Sequence, residues 1–519
     1  MDGYNLVSFA GVFVLVGLAW VLSADRRNVN WRVIGWGIAL QLAVALFVFV
    51  VPAGARVFLV VNDVVVRILD SAGAGARFVF GRLALGPGQV GEDGQESIGL
   101  ILALQGFPTI IFFSALIAIL YHLGIMPRIV KAFARVFTRL MRVSGAESLV
   151  VASNIFVGVE SNLTIKPHLA TLTASELCTV LTAGMASVAS NILALYVLML
   201  QERFPTIAGH LISASLLSAP AALLMSKLLL PESGRPVTLG LRVEPYYERE
   251  SSLMEAIING ANAGVRMIVG IVALLIAVLG LVALVNLALA SLGDVVNPLL
   301  GTAGRWSLGG LFGYLFYPVA LVLGVPPADA GVVSRIVGAR VIVTEVAAYG
   351  ELAAAMEQGL LQHPRSAVIT AYALCGFAHI ASMAIFVGSI CALAPERAKG
   401  IGPIAVRALV AATLACLVTA CVAGTFFAEG SILLGRPGPT AGATKSEIRN
   451  STPRQQADRS ETSSDDRSIA FHKFRDDRDR LPRSVSLARN DIQAPDLRNA
   501  GLYALYADAG EFNARTASE

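Results

Sequence analysis

The sequence predicts an all-α integral membrane protein with about eight transmembrane helices plus two re-entrant hairpins in an inverted repeat. Of its 519 residues, 55% are hydrophobic and 15% charged, against about 25% charged in an ordinary soluble domain, and the mean hydropathy is +0.68. Apolar windows of about 20 residues, the length that crosses about 30 Å of hydrocarbon, recur along most of the chain. Two further apolar stretches carry a central glutamate and do not fit as simple spans.

The predicted spans lie near 5–23, 33–53, 98–122, 177–199, 207–229, 264–290, 367–394 and 402–428. The first apolar run has the length of a span and no small-residue cleavage pattern after it, so we expect a retained helix rather than a signal peptide. The five cysteines lie in apolar segments without CxxC or CxxH spacing. They are interpreted as packing residues rather than as disulfide or metal ligands.

The placement of the basic residues predicts the orientation, because short loops rich in Lys and Arg face the cytoplasm. Arg26, Arg27 and Arg32 follow the first span and place the N-terminus outside. The segment 126–143, which follows the third span, has five basic residues, no acid and apolar residues at helical spacing. It predicts a helix lying flat on the inner leaflet. The basic residues are equally consistent with a segment that only fixes the topology and with one that binds specific lipids. The formal net charge of +4 does not suggest a nucleic-acid partner.

The tail from 431 to 519 has nearly balanced acidic and basic residues and no apolar periodicity, which predicts a disordered or weakly ordered segment. Residues 497–507 are a candidate short helix within it. The stretch GPGQVGEDGQE, between the second and third spans, is interpreted as an exposed loop preceded by an interfacial helix.

Residues 148–170 are apolar but interrupted by Asn154, Gly158 and Glu160, and both flanks carry cytoplasmic signals. A segment that enters and leaves on one side is a re-entrant hairpin. Residues 330–352 show the same pattern around Thr344 and Glu345, with flanks predicted outside. Broken backbone at membrane depth is tolerated only where protein or a water-filled cavity surrounds it.

Each hairpin is followed by a span, and the two spans are similar. GMASVAS at 184–190 aligns without gaps on GFAHIAS at 376–382; simple packing through small residues is the alternative explanation. Together with the hairpins, the match predicts an inverted repeat, which in transporters places broken helices around substrate and ion at the midplane. A carboxylate there costs at least about 2.5 kcal/mol, so each glutamate either faces an aqueous site or pairs with Lys166, Arg335 or Arg340.

Four runs resemble a concentrative nucleoside transporter: FPTIIFFSALIAILYHLGIM at 107–126, SNIFVG at 153–158, GYLFYPVALVLGVP at 313–326 and ALCGFAHIAS at 373–382. The resemblance covers about residues 5–428. It implies a homotrimer of eight-span protomers that imports nucleosides with a sodium or proton gradient. It further implies contact with membrane lipid, a bacterial-type plasma (inner) membrane, and no cofactor beyond the coupling cation Na⁺ or H⁺.

The resemblance also implies residues that contact the solute. The family pattern NIFVGQTEAPLVIRP corresponds to NIFVGVESNLTIKP, which is one residue shorter, keeps the Glu and loses the Gln and Thr. In the pattern GxKxxxNEFVAY, Arg340 stands for the Lys and Thr344 for the Asn. The substrate-binding residues expected from the resemblance and from their positions are Glu160, Glu345, His379, Ser382, Val159, Gln105 and Thr344. Among them His379 replaces a ribose-contacting Asn, and Gln105 either lines the cavity or satisfies backbone freed by Pro108.

The implied sodium site combines Asn154 and Val157 of the first hairpin with Asn191 and Ile192 of the next span. Hard oxygen donors from a broken helix suit a small cation. Glu160 or His379 is instead the proton-linked group if the coupling ion is H⁺, because intramembrane ionisable residues form relays and His titrates near neutrality.

The function expected from these features is cation symport of nucleosides by alternating access. Residues 1–96 form the N-terminal spans and external loop, and 97–430 the transport core. One alternative is a related permease for nucleobases or modified nucleosides. Another is an intramembrane enzyme with Glu160 and Glu345 as an acid/base pair, although the sequence has no HExxH motif.

Overall fold

The computed structural model describes residues 2–86, 89–91, 94, 96–99, 101–247, 250–300, 306–429 and 433. In these ranges the chain is helical and has no strand, only two isolated bridges, so the prediction of an all-α protein is confirmed. The predicted tail and the candidate helix 497–507 lie outside the described residues, Leu433 excepted.

The helices are α1 Gly3–Val21, α2 Trp31–Phe49, α3 Pro52–Phe80, α4 Phe107–His122, α5 Ile125–Met141, α6 Gly145–Asn154, α7 Ala174–Ala186, α8 Ser190–Leu200, α9 Ile207–Leu229, α10 Leu253–Leu300, α11 Leu308–Val322, α12 Pro327–Ala339, α13 Glu345–Glu357, α14 Pro364–Leu374, α15 Ile380–Leu393 and α16 Ile401–Thr425. Short 3₁₀ helices cover Gly81–Ala84, Val159–Thr171 and Pro395–Arg397, and a π-helical turn covers Leu102–Gly106.

Seven helical stretches of the described chain are long and apolar enough to cross a membrane. Helices α1, α2, α9 and α16 match predicted spans, and α4 does so together with the π-helical turn before it. The interfacial helix predicted before the GPGQVGEDGQE loop is α3. The basic segment predicted on the inner leaflet is α5, which buries Met126, Val130 and Phe137 and exposes Arg128 and Arg135.

Two predicted spans contain a break in the helix. The span 177–199 breaks between α7 and α8, and the span 367–394 breaks between α14 and α15. The two breaks touch: a Cβ placed on Gly376, whose φ is +154°, would lie 2.8 Å from the carbonyl oxygen of Ala186. Only glycine allows this approach and this backbone angle. The paired GMASVAS and GFAHIAS segments therefore cross each other at their breaks.

The region between the sixth and seventh predicted spans also differs from the prediction. Helix α10 extends from Leu253 to Leu300 rather than over 264–290, and α11 was not predicted. Helix α11 has 15 residues, which is too short for a search based on windows of about 20. It packs closely on α12, since a Cβ on Gly338 would lie 2.9 Å from the carbonyl oxygen of Phe312.

Each region predicted as a hairpin folds into two helical arms. Hairpin 1, residues 145–171, consists of α6 and the 3₁₀ helix Val159–Thr171; hairpin 2, residues 327–357, consists of α12 and α13. The 3₁₀ arm packs on α15, where Asn162 donates to Ser389 Oγ at 3.2 Å. The second arm of hairpin 2, α13, packs on α8. Each hairpin thus contacts the broken helix of the other half, as expected of an inverted repeat.

The inner ends of hairpin 1 and α7 begin with matched capping boxes, Ser144 with Glu147 and Thr173 with Glu176, which satisfy the first backbone N–H groups of each helix. Lys227, near the end of α9, forms ion pairs with Glu147 and with Glu232, the latter at 3.3 Å. This buried network fixes the start of hairpin 1 against α9.

At the opposite end, Arg365 of α14 is buried and hydrogen-bonded to several elements. It donates to Asn5 Oδ1, Ser8 Oγ and the carbonyl oxygens of Gly324 and Gly424, at 2.6 to 2.8 Å. These partners come from α1, the end of α11 and α16. A buried guanidinium is tolerated when it is hydrogen-bonded, and here it ties α1, the end of α11 and α16 to α14.

Candidate functional site

Glu345, the first residue of α13, is buried and held by two other elements. Its Oε2 lies 2.6 Å from His379 Nε2, and its Oε1 accepts a hydrogen bond of 2.9 Å from the Tyr196 hydroxyl. Helices α8 and α13 and the α14–α15 break therefore meet at this one carboxylate.

The hydrogen bonds around His379 define its tautomer. His379 is the N-cap of α15, and its Nδ1 accepts from the backbone N–H of Ser382 at 3.3 Å. Because Nδ1 is an acceptor there, the ring proton is on Nε2 and points at Glu345. Nε2 is therefore the ring nitrogen that contacts the Glu345 carboxylate.

Tyr196 is the member of this cluster that the sequence analysis missed. Its ring stacks on that of Tyr349 with centroids 4.3 Å apart, and the Tyr349 hydroxyl donates to the carbonyl oxygen of Ala371 at 2.8 Å. A tyrosine in the otherwise apolar run of α8 is the available signal, since a buried phenol needs a hydrogen-bond partner. Thr344 is the N-cap of α13, and the Ser382 hydroxyl donates to the Phe377 carbonyl.

Glu160 lies in different surroundings, at the wall of a cavity of about 510 Å³. The cavity is bounded by α4, hairpin 1, the start of α8, the loop before α10, and α10. Its lining includes Glu160, Val157, Asn191, Tyr121, Asn259 and Arg266. Glu160 Oε2 is hidden from solvent and has no hydrogen-bond partner within the described ranges.

Glu345, His379 and Ser382 are not among the residues that line this cavity. In this conformation the two predicted carboxylates therefore occupy separate environments, one facing a cavity and one sealed by His379 and Tyr196. Glu345 does not pair with Arg340, which is buried and donates to the carbonyl oxygen of Ala373 at 2.8 Å.

The residues expected at a cation site lie where hairpin 1 meets α8. Asn154 Nδ2 donates to the Val150 carbonyl at 3.0 Å, and Asn191 Nδ2 contacts Met267 Sδ at 3.4 Å. Each amide leaves a buried Oδ1 without a partner in the part of the chain that the structure describes. Orphaned amide oxygens from a broken helix fit a hard cation such as Na⁺. In the same ranges, no cluster of three or more His, Cys, Asp or Glu side chains is placed to hold a metal.

The remaining predicted residues lie around these groups. Gln105 is in the π-helical turn before α4, and its Nε2 donates to the carbonyl oxygens of Leu85 and Gly99 at 2.8 and 2.7 Å. It satisfies backbone of the loop after α3 rather than the carbonyl freed by Pro108. Val159 opens the 3₁₀ arm of hairpin 1, and Ile192 is buried in the first turn of α8.

Three family models cover most of the described chain. The model described as the N-terminus of Na⁺-dependent nucleoside transporters matches residues 10–83, and the corresponding C-terminus matches 210–424. Between them, residues 103–203 match a gate model described as nucleoside recognition.

Curated relatives agree with these models. An uncharacterized transporter of Haemophilus influenzae is 34% identical over 434 residues, 83% of this chain and 99% of the relative. Sodium/nucleoside cotransporter 1 of Rattus norvegicus is 35% identical over 437 residues, 82% of this chain and 64% of the relative. The chain therefore spans less than two thirds of the length of the rat relative and nearly all of the bacterial one.

Solved structures of the transporter CNTnw are similar in sequence and fold. An inward-facing, substrate-bound state is 32% identical, with a TM-score of 0.72, and covers 82% of this chain and 98% of CNTnw. An outward-facing double variant is 31% identical with a TM-score of 0.73 and the same coverage. The inferred resemblance is thus confirmed, and the chain belongs to the Na⁺-dependent nucleoside transporter family, whose members are membrane transporters and not enzymes.

Proposed function

We propose that this integral membrane protein imports nucleosides together with Na⁺ by alternating access. The observation that carries the proposal is the cavity holding Glu160 and Asn191 beside the broken backbone of hairpin 1. Glu160 and Asn191 line this cavity and supply acceptors for solute N–H groups, and the unpartnered amide oxygens of Asn191 and Asn154 supply ligands for a cation. The sequence similarity to sodium/nucleoside cotransporters supports the same solute and ion.

Two groups of residues bind the two parts of the nucleoside, the base and the ribose. Glu160 and Val159 face its base from hairpin 1, and Glu345, His379 and Ser382 bind its ribose hydroxyls from hairpin 2 and the α14–α15 break. Thr344 positions Glu345 by capping α13. Gln105 offers the solute only its Oε1, because its amide N–H groups are already hydrogen-bonded to backbone carbonyls. Because Glu345 is now held by His379 and Tyr196, a ribose hydroxyl must displace one of these donors.

The Na⁺ ligands are Asn154 and Asn191 through their side chains and Val157 and Ile192 through their carbonyl oxygens. Bound sodium offsets the negative charge of Glu160, so cation and nucleoside binding favour each other.

The cavity with Glu160 is reached from the predicted cytoplasmic side. Its lining includes His122 at the end of α4 and Glu250 in the loop before α10, and both connections are predicted inside. The conformation therefore corresponds to an inward-open form. We place the protein in a bacterial-type inner membrane as a homotrimer, with the basic face of α5 on the lipid headgroups.

Proton coupling is the second candidate for the driving ion, and the contact between His379 Nε2 and Glu345 favours it. A related permease for nucleobases or modified nucleosides is the second candidate for the solute, because hairpin 1 has lost the Gln and Thr of the family pattern.

Uptake into vesicles that contain the purified protein tests these alternatives together. Labelled nucleosides are supplied under an inward Na⁺ gradient, an inward H⁺ gradient, or neither, with unlabelled nucleosides and bases as competitors. We expect concentrative uptake under the Na⁺ gradient, reduced by nucleosides more than by free bases. Uptake driven only by the H⁺ gradient, or competed best by bases, contradicts the proposal.

A further inference from the structure

Helix α10 forms one wall of the Glu160 cavity because two glycines bring it against α4. A Cβ on Gly260 would lie 2.7 Å from the Ala118 Cβ, and a Cβ on Gly264 would lie 2.7 Å from the Ile111 Cα. Small residues four apart allow this close packing of membrane helices. This packing holds the backbone of α10 at the edge of the cavity.

The cavity face of α10 carries Asn259, Ala263 and Arg266, whose spacing of four and three residues places them on one side of a helix. Arg266 is the 14th residue of α10 and is followed by a long apolar run. An ionisable residue within a membrane-spanning stretch is costly and points to a function, usually at a water-filled cavity.

Arg266 and Glu160 are opposite charges on the walls of one cavity. Among the described residues neither forms an ion pair within 4.0 Å, so the carboxylate and the guanidinium do not neutralise each other directly. Tyr121 also lines the cavity between α4 and hairpin 1 and supplies an aromatic surface. A solute in this cavity meets an acceptor on one wall and a fork of N–H donors on another.

We propose that Arg266 determines base specificity: it donates to a carbonyl oxygen of the base while Glu160 accepts from the neighbouring ring N–H. The cavity would then select bases with a lactam edge, such as hypoxanthine, guanine or uracil, over adenine. The inference rests on the proposed nucleoside transport and assigns its solute class.

The chemistry of the two base edges explains the selection. A lactam offers a carbonyl oxygen with two lone pairs beside an N–H donor, which matches a guanidinium fork beside a carboxylate. Adenine instead offers a ring nitrogen with one lone pair beside an amino group. Its amino group satisfies Glu160, but its ring nitrogen accepts only one of the Arg266 donors. Inosine and adenosine differ at these positions and share the same ribose.

The test measures binding of inosine and adenosine to the purified full-length protein in Na⁺-containing detergent solution by calorimetry. Wild type is expected to bind inosine about tenfold or more tighter than adenosine, since hydrogen bonds to charged groups are worth about that factor or more. R266M should weaken inosine binding about tenfold and adenosine binding less than about threefold. The inosine affinity of R266K should lie between those of wild type and R266M. R56M is the matched control, because Arg56 is exposed on α3 and does not line the cavity.

The possible outcomes separate the inference from the proposed function. If neither nucleoside binds to wild type or R56M, both the nucleoside function and the role of Arg266 are overturned. If both nucleosides bind but R266M lowers both affinities equally, or leaves both affinities unchanged, the proposed nucleoside binding stands and the role of Arg266 in base specificity is refuted. Elution volume and unfolding temperature establish that R266M and R266K are folded; if R266M is not, the comparison of R266K with wild type decides.

Discussion

Replacing Lys227 by Met tests whether the inner end of hairpin 1 is fixed by a buried charge network. The Lys227 and Glu147 side chains are 7% and 1% exposed, and Glu232, the other partner, is 24% exposed. Glu147 also closes the capping box of α6. The substitution leaves its carboxylate buried without a cation.

The expected loss of stability follows from this burial. Removing one partner of a buried ion pair costs about 3–5 kcal/mol. The double variant K227M/E147Q should recover at least half of the loss, because glutamine keeps the capping box while removing the buried charge, and Glu232 can still reach water. The control K131M breaks the pair of Lys131 with Glu244, whose side chains are 32% and 75% exposed; such surface pairs are worth about 0–1 kcal/mol.

The assay is thermal unfolding of the detergent-purified variants. We expect K131M to unfold near the wild-type temperature, K227M well below it, and K227M/E147Q between them. Equal shifts for K227M and K131M, or no recovery in the double variant, would refute the reasoning.

Two further substitutions test the centre of the protein. E345Q should abolish nucleoside uptake while the protein stays folded, since an amide cannot accept from both His379 and the ribose as a carboxylate does; normal uptake in vesicles would remove the assigned role of Glu345. G376A should lower the unfolding temperature and uptake together, because its Cβ would lie 2.8 Å from the Ala186 carbonyl oxygen at a φ of +154°, a strain of about 1–3 kcal/mol. Wild-type behaviour of G376A would show that the two breaks do not need this close approach.

The hairpins were predictable because their sequence pattern is local. Polar residues such as Glu160 and Glu345 interrupt apolar runs whose flanks carry matching orientation signals. The exchange of contacts, in which α13 packs on α8 and the 3₁₀ arm on α15, then follows from the inverted repeat.

The helix breaks were missed because hydropathy averages over a window. The residues at the two breaks, Ser187–Ala189 and Cys375–Ala378, are apolar or small, so a hydropathy window across them still indicates a membrane span. The structure shows that the helices stop there. Helix α11 was missed for the related reason that it is shorter than the window.

The partners of the site residues depend on contacts distant in sequence. Tyr196 and Glu345 are 149 positions apart, so no local pattern predicts that the tyrosine holds the carboxylate. Arg266 lies two residues inside the predicted span 264–290. Hydropathy therefore places it in the membrane-spanning segment but does not predict which cavity it lines. The separate surroundings of Glu160 and Glu345 likewise depend on contacts between segments distant in sequence.

The most direct measurement of the central claim is the accessibility of the Glu160 cavity. A cysteine replaces Ala263, which lines that cavity on α10. The half-buried Cys391 is changed to serine, and the four other native cysteines are buried. Labelling by a membrane-impermeant thiol reagent is followed in vesicles of both orientations. The account predicts labelling from the cytoplasmic side that Na⁺ and nucleoside together reduce; labelling only from the outside, or labelling that nucleoside does not change, would contradict it.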